Sequence, residues 1–261
     1  MRYTRQGVSL EYDDIGNGVP LLLIHAFPFD RTMWRSQVAG LQLNYRVIAP
    51  DLRGFGHSSE VDGSAVSMDQ YAADLRALLD SLNVKQAVVG GLSMGGYIAL
   101  AFMAQSPDRV KGLILANTRA LPDSDEARQT RLTNAERLRT EGLGFLIDSM
   151  APKMLGPNAK SDLTVTVRSI MTRQRANGLS SALLGMAARP DRTALLPTIK
   201  VPTLIITGSA DALIPPADSE AMQRAIPKST LATLAEAGHL SNLDKADAFN
   251  DALRAFYSKV K

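Results

Sequence analysis

The sequence predicts an α/β fold: a mostly parallel sheet covered by helices on both faces, with a helical insertion late in the chain. Three observations predict it. Short apolar runs alternate with longer helical patterns, the rhythm of strand-helix-strand units. Several of the runs are apolar throughout instead of alternating, as strands covered on both faces must be. From about residue 120 to 197 the pattern changes to helical stretches rich in Arg, Ala, Leu and Met, with no convincing strand.

Taken in order, residues 8–12, 21–24, 47–49, 87–90, 110–115, 203–207 and 230–234 read as strands. Residues 68–82 read as a helix, because Tyr71, Leu75, Leu78, Leu79 and Leu82 recur on one face, and Ser67 stands where a cap is needed. Residues 95–105 and 245–256 read as helices too. Within the insertion, helices are predicted over 124–140, 144–150, 161–176 and 179–186. An insertion that leaves the sheet at the carboxyl end of a strand overhangs the crevice where open α/β sheets bind ligands.

Composition restricts the class of function. With 261 residues the chain can build one large core with an insert, and 45% hydrophobic and 21% charged residues are ordinary globular values. The net charge of +3 arises from 29 basic and 26 acidic residues intermingled along the chain, so no basic stripe for nucleic acid is formed. Without cysteine there is no disulfide, thiolate nucleophile or cysteine-ligated metal. Residues 1–6 lack the apolar core of a signal peptide, and the apolar runs fall short of a membrane span. A cytoplasmic location without membrane association is the expectation.

The chemistry concentrates at Gly91-Leu92-Ser93-Met94-Gly95, between an apolar run and a helix. That context marks a nucleophile elbow, in which a strained turn lifts a serine hydroxyl clear of the sheet and glycines on either side avoid collision. A serine needs a base, and the base an orienting acid. Of the three histidines, His239 is best placed, in a loop after the last strand and before the C-terminal helix; His25 and His57 read as structural. Asp211, after a glycine turn behind the preceding strand, precedes His239 and completes the order serine, acid, histidine. Asn117, at the rival acid position, carries no charge, and Asp218 reads as a helix-start residue. The backbone N–H groups of Met94 and Phe27 are the expected oxyanion donors, with Pro28 stiffening the latter's turn.

Together, His25-Ala26-Phe27-Pro28, Asp51-Leu52-Arg53-Gly54-Phe55-Gly56-His57-Ser58, Gly91-Leu92-Ser93-Met94-Gly95-Gly96, Gly208-Ser209-Ala210-Asp211 and Gly238-His239-Leu240-Ser241-Asn242-Leu243 resemble the α/β-hydrolase superfamily over essentially the whole chain. Within it the chain looks most like small bacterial carboxylesterases and the 3-oxoadipate enol-lactonase-like group, which includes cofactor-free haloperoxidase-type perhydrolases. The resemblance implies an α/β-hydrolase fold: an eight-stranded core of residues 1–119 and 198–261, with a helical cap of residues 120–197 between strands 6 and 7. It implies a Ser93, His239, Asp211 triad, oxyanion donors at Phe27 and Met94, and no metal or organic cofactor. One departure is His25-Ala26, where His-Gly is commoner; alanine is still small. The Asp51 to Ser58 motif reads as scaffolding.

Serine at the elbow, in place of aspartate, points to an acyl-enzyme and so to ester, thioester, lactone or carbon–carbon bond hydrolysis. Phe27, Phe29, Trp34, Met94, Ile214 and Leu240 suggest an apolar acyl pocket. A small carboxylic ester is the expected substrate, and an enol-lactone the alternative; its free carboxylate would call for a cation such as Arg119, Arg128 or Arg131. A binding protein that kept the fold and lost turnover is a third reading, opposed by the complete set of chemical groups. A homo-oligomer formed through an apolar patch on the insertion is compatible with the sequence.

Overall fold

Eight strands, β1 (Arg2–Arg5), β2 (Val8–Ile15), β3 (Val19–Ile24), β4 (Tyr45–Pro50), β5 (Ala87–Leu92), β6 (Val110–Ala116), β7 (Thr203–Gly208) and β8 (Ser229–Leu234), form one sheet in a computed structural model that describes residues 1–261. Their order is β1-β2-β4-β3-β5-β6-β7-β8. From β4 to β8 all neighbours are parallel, and β1 and β2 close one edge as antiparallel strands.

Strand β1 is the one the runs do not predict. Arg2-Tyr3-Thr4-Arg5 is mostly exposed and has no apolar alternation. It exists by pairing with β2 through a two-residue turn at Gln6 and Gly7, both at positive φ (49° and 80°), the left-handed geometry that a tight hairpin requires.

Ten helices cover the sheet: α1 (Arg35–Leu41), α2 (Met68–Ser81), α3 (Met94–Gln105), α4 (Asp125–Glu141), α5 (Gly144–Met150), α6 (Ser161–Thr172), α7 (Ala176–Ala187), α8 (Pro216–Ala225), α9 (Ser241–Asp244) and α10 (Ala246–Tyr257). The two-sided strands divide their side chains between two apolar layers. Leu22, Ile24 and Val89 face one layer with α2, α3 and Met222 of α8. Leu21, Leu23 and Val88 face the other, with Leu41 of α1 and Phe249, Leu253 and Phe256 of α10. Ser67 caps α2 in a reciprocal capping box with Gln70, satisfying donors that the first helical turn leaves free. No helix is long and apolar enough to cross a membrane.

The insertion between β6 and β7 consists of α4 to α7 and short 3-10 turns. It has no interior of its own: Leu138, Leu146 and Leu183 join one layer of the sheet, while Ile147, Met154 and Val167 join the other. The predicted helix over residues 161–176 is broken. α6 stops at Thr172 and α7 begins at Ala176, because the residues between are used as tethers. Arg173 bonds both oxygens of Asp30 (2.7 and 2.8 Å), and Gln174 donates to Asp30 (2.9 Å) and accepts the Gly56 N–H (3.1 Å).

Candidate active site

Strand register brings the candidate residues to one end of the sheet. β3 and β5 are adjacent and parallel with Ile24 opposite Gly91, although β4 lies between them in sequence. This is the switch point where an open α/β sheet forms its crevice. Leu92 pairs with Ala116 of β6, Ala116 with Ile206 of β7, and Gly208 of β7 with Leu234 of β8. The loops carrying Phe27, Ser93, Asn117, Asp211 and His239 therefore emerge side by side.

Ser93 sits between β5 and α3 at φ 55°, ψ −115°, a conformation costly for a residue with a Cβ and held only by its surroundings. Its N–H donates to the Ala116 carbonyl (2.9 Å), and its carbonyl accepts from Gly96 N–H (2.8 Å) and Thr118 Oγ1 (2.8 Å). The flanking glycines are a steric necessity. A Cβ on Gly91 would collide with the Gly95 carbonyl, and one on Gly95 with the Ile24 carbonyl. Gly95→Ala is expected to cost about 1–3 kcal/mol as read by chemical denaturation; wild-type stability in that variant would mean the elbow has room to spare.

His239 and Asp211 form a buried pair, with Nδ1 at 2.9 Å from Oδ2 and 3.1 Å from Oδ1. Asp211 also accepts the N–H groups of Leu213 (2.9 Å) and Ile214 (3.0 Å) and the Asn117 amide (2.9 Å). Burial pushes its carboxyl pKa up, but the bonds from His239, Asn117 and Ile214 outweigh this and hold it below the usual carboxylate range. The acid is thus ionised at neutral pH. Ser93 and His239 line one cavity of about 420 Å³.

The Phe27 N–H has no acceptor within the chain, and Met94 is the first residue of α3, whose N–H has no helical carbonyl to bond. Both are available as donors. Phe27 also lines the cavity with its side chain, as does Ile214. Phe29, Trp34 and Leu240, expected in the pocket, are not there. They are at most 1% exposed in the layer on the opposite side of the sheet, with the Trp34 ring 6.0 Å from that of Phe249. Met94 is likewise buried in the core, so its contribution to the cavity is backbone alone. The apolar wall comes instead from Tyr97, Leu146, Met150, Leu183, Met186 and Leu213, most of them on the insertion.

The other two histidines are structural. His25 Nδ1 donates to the Ala26 carbonyl (2.9 Å), so Nε2 accepts the Leu52 N–H (3.1 Å). Burial lowers its pKa against the opposing pull of Ala26, Asp51 and Asp30, which keeps the ring neutral. His57 is exposed, and its backbone N–H bonds Asp51 (2.8 Å).

Arginines enter the cavity wall through a group that the sequence does not signal. The Asp123 carboxylate, 1% exposed, pairs with Arg119 (3.2 Å), Arg131 (2.5 Å) and Arg189 (2.8 Å), and Arg119 lies 3.9 Å from Asp218. Arg189 also stacks on Tyr97 at 4.1 Å. Arg119 and Arg131 line the cavity, with Glu126 beside them, and Arg119 Nε is buried without a partner. Arg128 is exposed and lies outside the cavity lining.

A strained serine and a histidine held by a buried carboxylate line one cavity at the switch point of a parallel sheet, on a fold whose class is that of the hydrolases. The chain belongs to the alpha/beta hydrolase family, whose model its residues 21–252 match. Among its relatives, 3-oxoadipate enol-lactonase 2 of Acinetobacter baylyi is 33% identical over 257 residues, covering 97% of this chain and 94% of that one. A malate-bound structure of a thermophilic esterase from Thermogutta terrifontis superposes with a TM-score of 0.96 at 41% identity, covering 100% of this chain and 99% of that one. The enol-lactonase from Burkholderia xenovorans gives 0.89 at 30% identity, with 99% and 100% covered.

Proposed function

We propose that this chain is a serine carboxylesterase that cleaves small esters through an acyl-enzyme. The observation that carries the reading is that His239, paired with Asp211, lines the same cavity as Ser93. In the proposed sequence, Ser93 Oγ attacks the acyl carbon as its proton passes to His239 Nε2. Asp211 holds the Nδ1–H tautomer that leaves Nε2 free to accept. The oxyanion is received by the N–H groups of Phe27 and Met94. Collapse of the tetrahedral intermediate releases the alcohol, protonated from the imidazolium, and water then hydrolyses the acyl-Ser93 ester by the reverse sequence. A peroxide in place of that water would make the perhydrolase side reaction.

A second reading, an enol-lactonase, is favoured by Arg119 and Arg131 in the cavity wall and by the enol-lactonase relatives. The two are separated by kcat/KM on short p-nitrophenyl esters beside 3-oxoadipate enol-lactone. The esterase reading expects the esters to be the better substrates, and a much higher value on the lactone overturns it. The arginines have their own test in Arg119→Gln, which leaves Asp123 paired with Arg131 and Arg189. If Arg119 receives a substrate carboxylate, kcat/KM on p-nitrophenyl hemisuccinate falls about 10- to 100-fold, the loss of one charge-assisted bond, while p-nitrophenyl butyrate is little affected. An equal loss on both esters counts against a carboxylate subsite.

A further inference from the structure

We infer that Asn117 is a positioning residue for the acid–base pair, and that Ser241 holds Asn117 in place for that work. The inference rests on the reading of Ser93, His239 and Asp211 as the reacting triad.

Asn117 follows the last residue of β6 at φ 45°, a left-handed conformation that asparagine tolerates better than most residues. It is fully buried, and its N–H is tied to the Ile206 carbonyl (2.8 Å). The side-chain amide is specified at both ends. Nδ2 donates to Asp211 Oδ2 at 2.9 Å, and Oδ1 accepts the hydroxyl of the fully buried Ser241 at 2.5 Å. A carboxylate and a carbonyl can only accept, so Asp211 and the Gly238 carbonyl, 3.4 Å from Nδ2, fix the amide's orientation, and the Ser241 hydroxyl donates to the Oδ1 that this orientation presents.

Ser241 lies two residues beyond His239, at the start of α9. The bonds thus close a ring of four side chains, from Ser241 to Asn117, to Asp211, to His239 and back along the chain. Three loops, after β6, β7 and β8, are locked to one another through it. The division of labour on Asp211 shows what Asn117 adds. Oδ1 is anchored by two N–H groups of its own loop, whereas Oδ2 has only Asn117 and His239. Without the amide, the oxygen that meets the imidazole most closely has no other support.

Removing the amide leaves Oδ2 with the imidazole as its single partner, so the carboxylate can turn away from Nδ1. Other charged groups facing this region are Arg119, Arg131 and Glu126 in the cavity and Asp244, which accepts the Gly238 N–H (2.8 Å). None of them is altered by the substitutions below.

The test compares kcat and KM on p-nitrophenyl butyrate for wild type, Asn117→Ala, Ser241→Ala and Ser241→Thr. Asn117→Ala is expected to lower kcat about 10- to 100-fold with KM within about twofold, the loss of one bond to a charged group on the acid–base pair. Ser241→Ala should lower kcat by less, again with KM little changed, and Ser241→Thr, which keeps the hydroxyl, should recover most of the loss. A folded Asn117→Ala with wild-type kcat overturns the inference, as does a loss of thermal stability with kcat unchanged. Should Asn117→Ala not fold, the serine pair decides: Ser241→Ala with wild-type kcat and KM overturns it equally. Persisting hydrolysis in Ser93→Ala would overturn the triad itself, whereas an inactive Ser93→Ala beside an unchanged Asn117→Ala overturns the positioning role alone.

Discussion

Replacing Ser93 by alanine is expected to lower kcat on a p-nitrophenyl ester about ten-thousand- to millionfold, the scale on which hydrolytic triads lose their nucleophile. Nothing in the fold depends on the missing oxygen. The elbow is held by the Ser93 backbone bonds to Ala116, Gly96 and Thr118 and by the glycine contacts with Gly95 and Ile24, all of which alanine retains. Stability should therefore stay within about 1 kcal/mol of wild type, and KM should change little, because the cavity wall is intact. What remains is the background reaction aided by the Phe27 and Met94 donors. The measurement pairs steady-state kinetics with labelling by a fluorophosphonate, which should mark wild type at Ser93 and fail to mark the variant. Hydrolysis at more than about a hundredth of the wild-type rate would require another nucleophile or direct attack by water.

Asp211→Asn is expected to cost about a thousand- to ten-thousandfold in kcat, with a different signature. Asp211 accepts from Leu213 and Ile214 on one oxygen and from Asn117 on the other, with His239 Nδ1 reaching both. An asparagine has one oxygen only. If that oxygen keeps Leu213 and Ile214, its amide nitrogen faces the Asn117 amide and the imidazole, both donors. Relief comes only if Nδ1 gives up its proton, which moves the hydrogen to Nε2 and leaves nothing to accept from Ser93. The variant should lose activity through the tautomer, not the fold, and show a modest loss of stability from the unmatched Asn117 amide. Nuclear magnetic resonance of the imidazole nitrogens checks it directly. A protonated Nδ1 in a fully active variant would refute the assigned role.

Much of this site can be read along the chain because its chemistry is local. An elbow needs glycine at Gly91 and Gly95 for reasons confined to one turn, and the order of Ser93, Asp211 and His239 follows from which strand each one succeeds. The short helices and β1 are harder to read for the converse reason. Arg2-Tyr3-Thr4-Arg5 carries no apolar alternation, being an exposed edge held by β2, and α1 is seven residues long, too short for helical periodicity to emerge. The break at Arg173 and Gln174 runs against a continuous helical pattern, and it arises from partners more than a hundred residues away at Asp30 and Gly56.

The pocket marks the same boundary. Phe29, Trp34 and Leu240 are large, apolar and close in sequence to Phe27 and His239, yet they turn to the other face of the sheet. Sequence proximity to a catalytic loop does not reveal the face on which a side chain emerges. Asp123 gathers Arg119, Arg131 and Arg189 from three separate segments, a meeting that no spacing encodes. By itself, the sequence determined the fold class, the strained elbow at Ser93 and the candidates for its partners, since strand periodicity, turn sterics and chain order are properties of consecutive residues. Only the tertiary structure decided the pocket walls, the arginine cluster and the amide of Asn117 on Asp211, because these depend on strand register and on which elements the insertion covers.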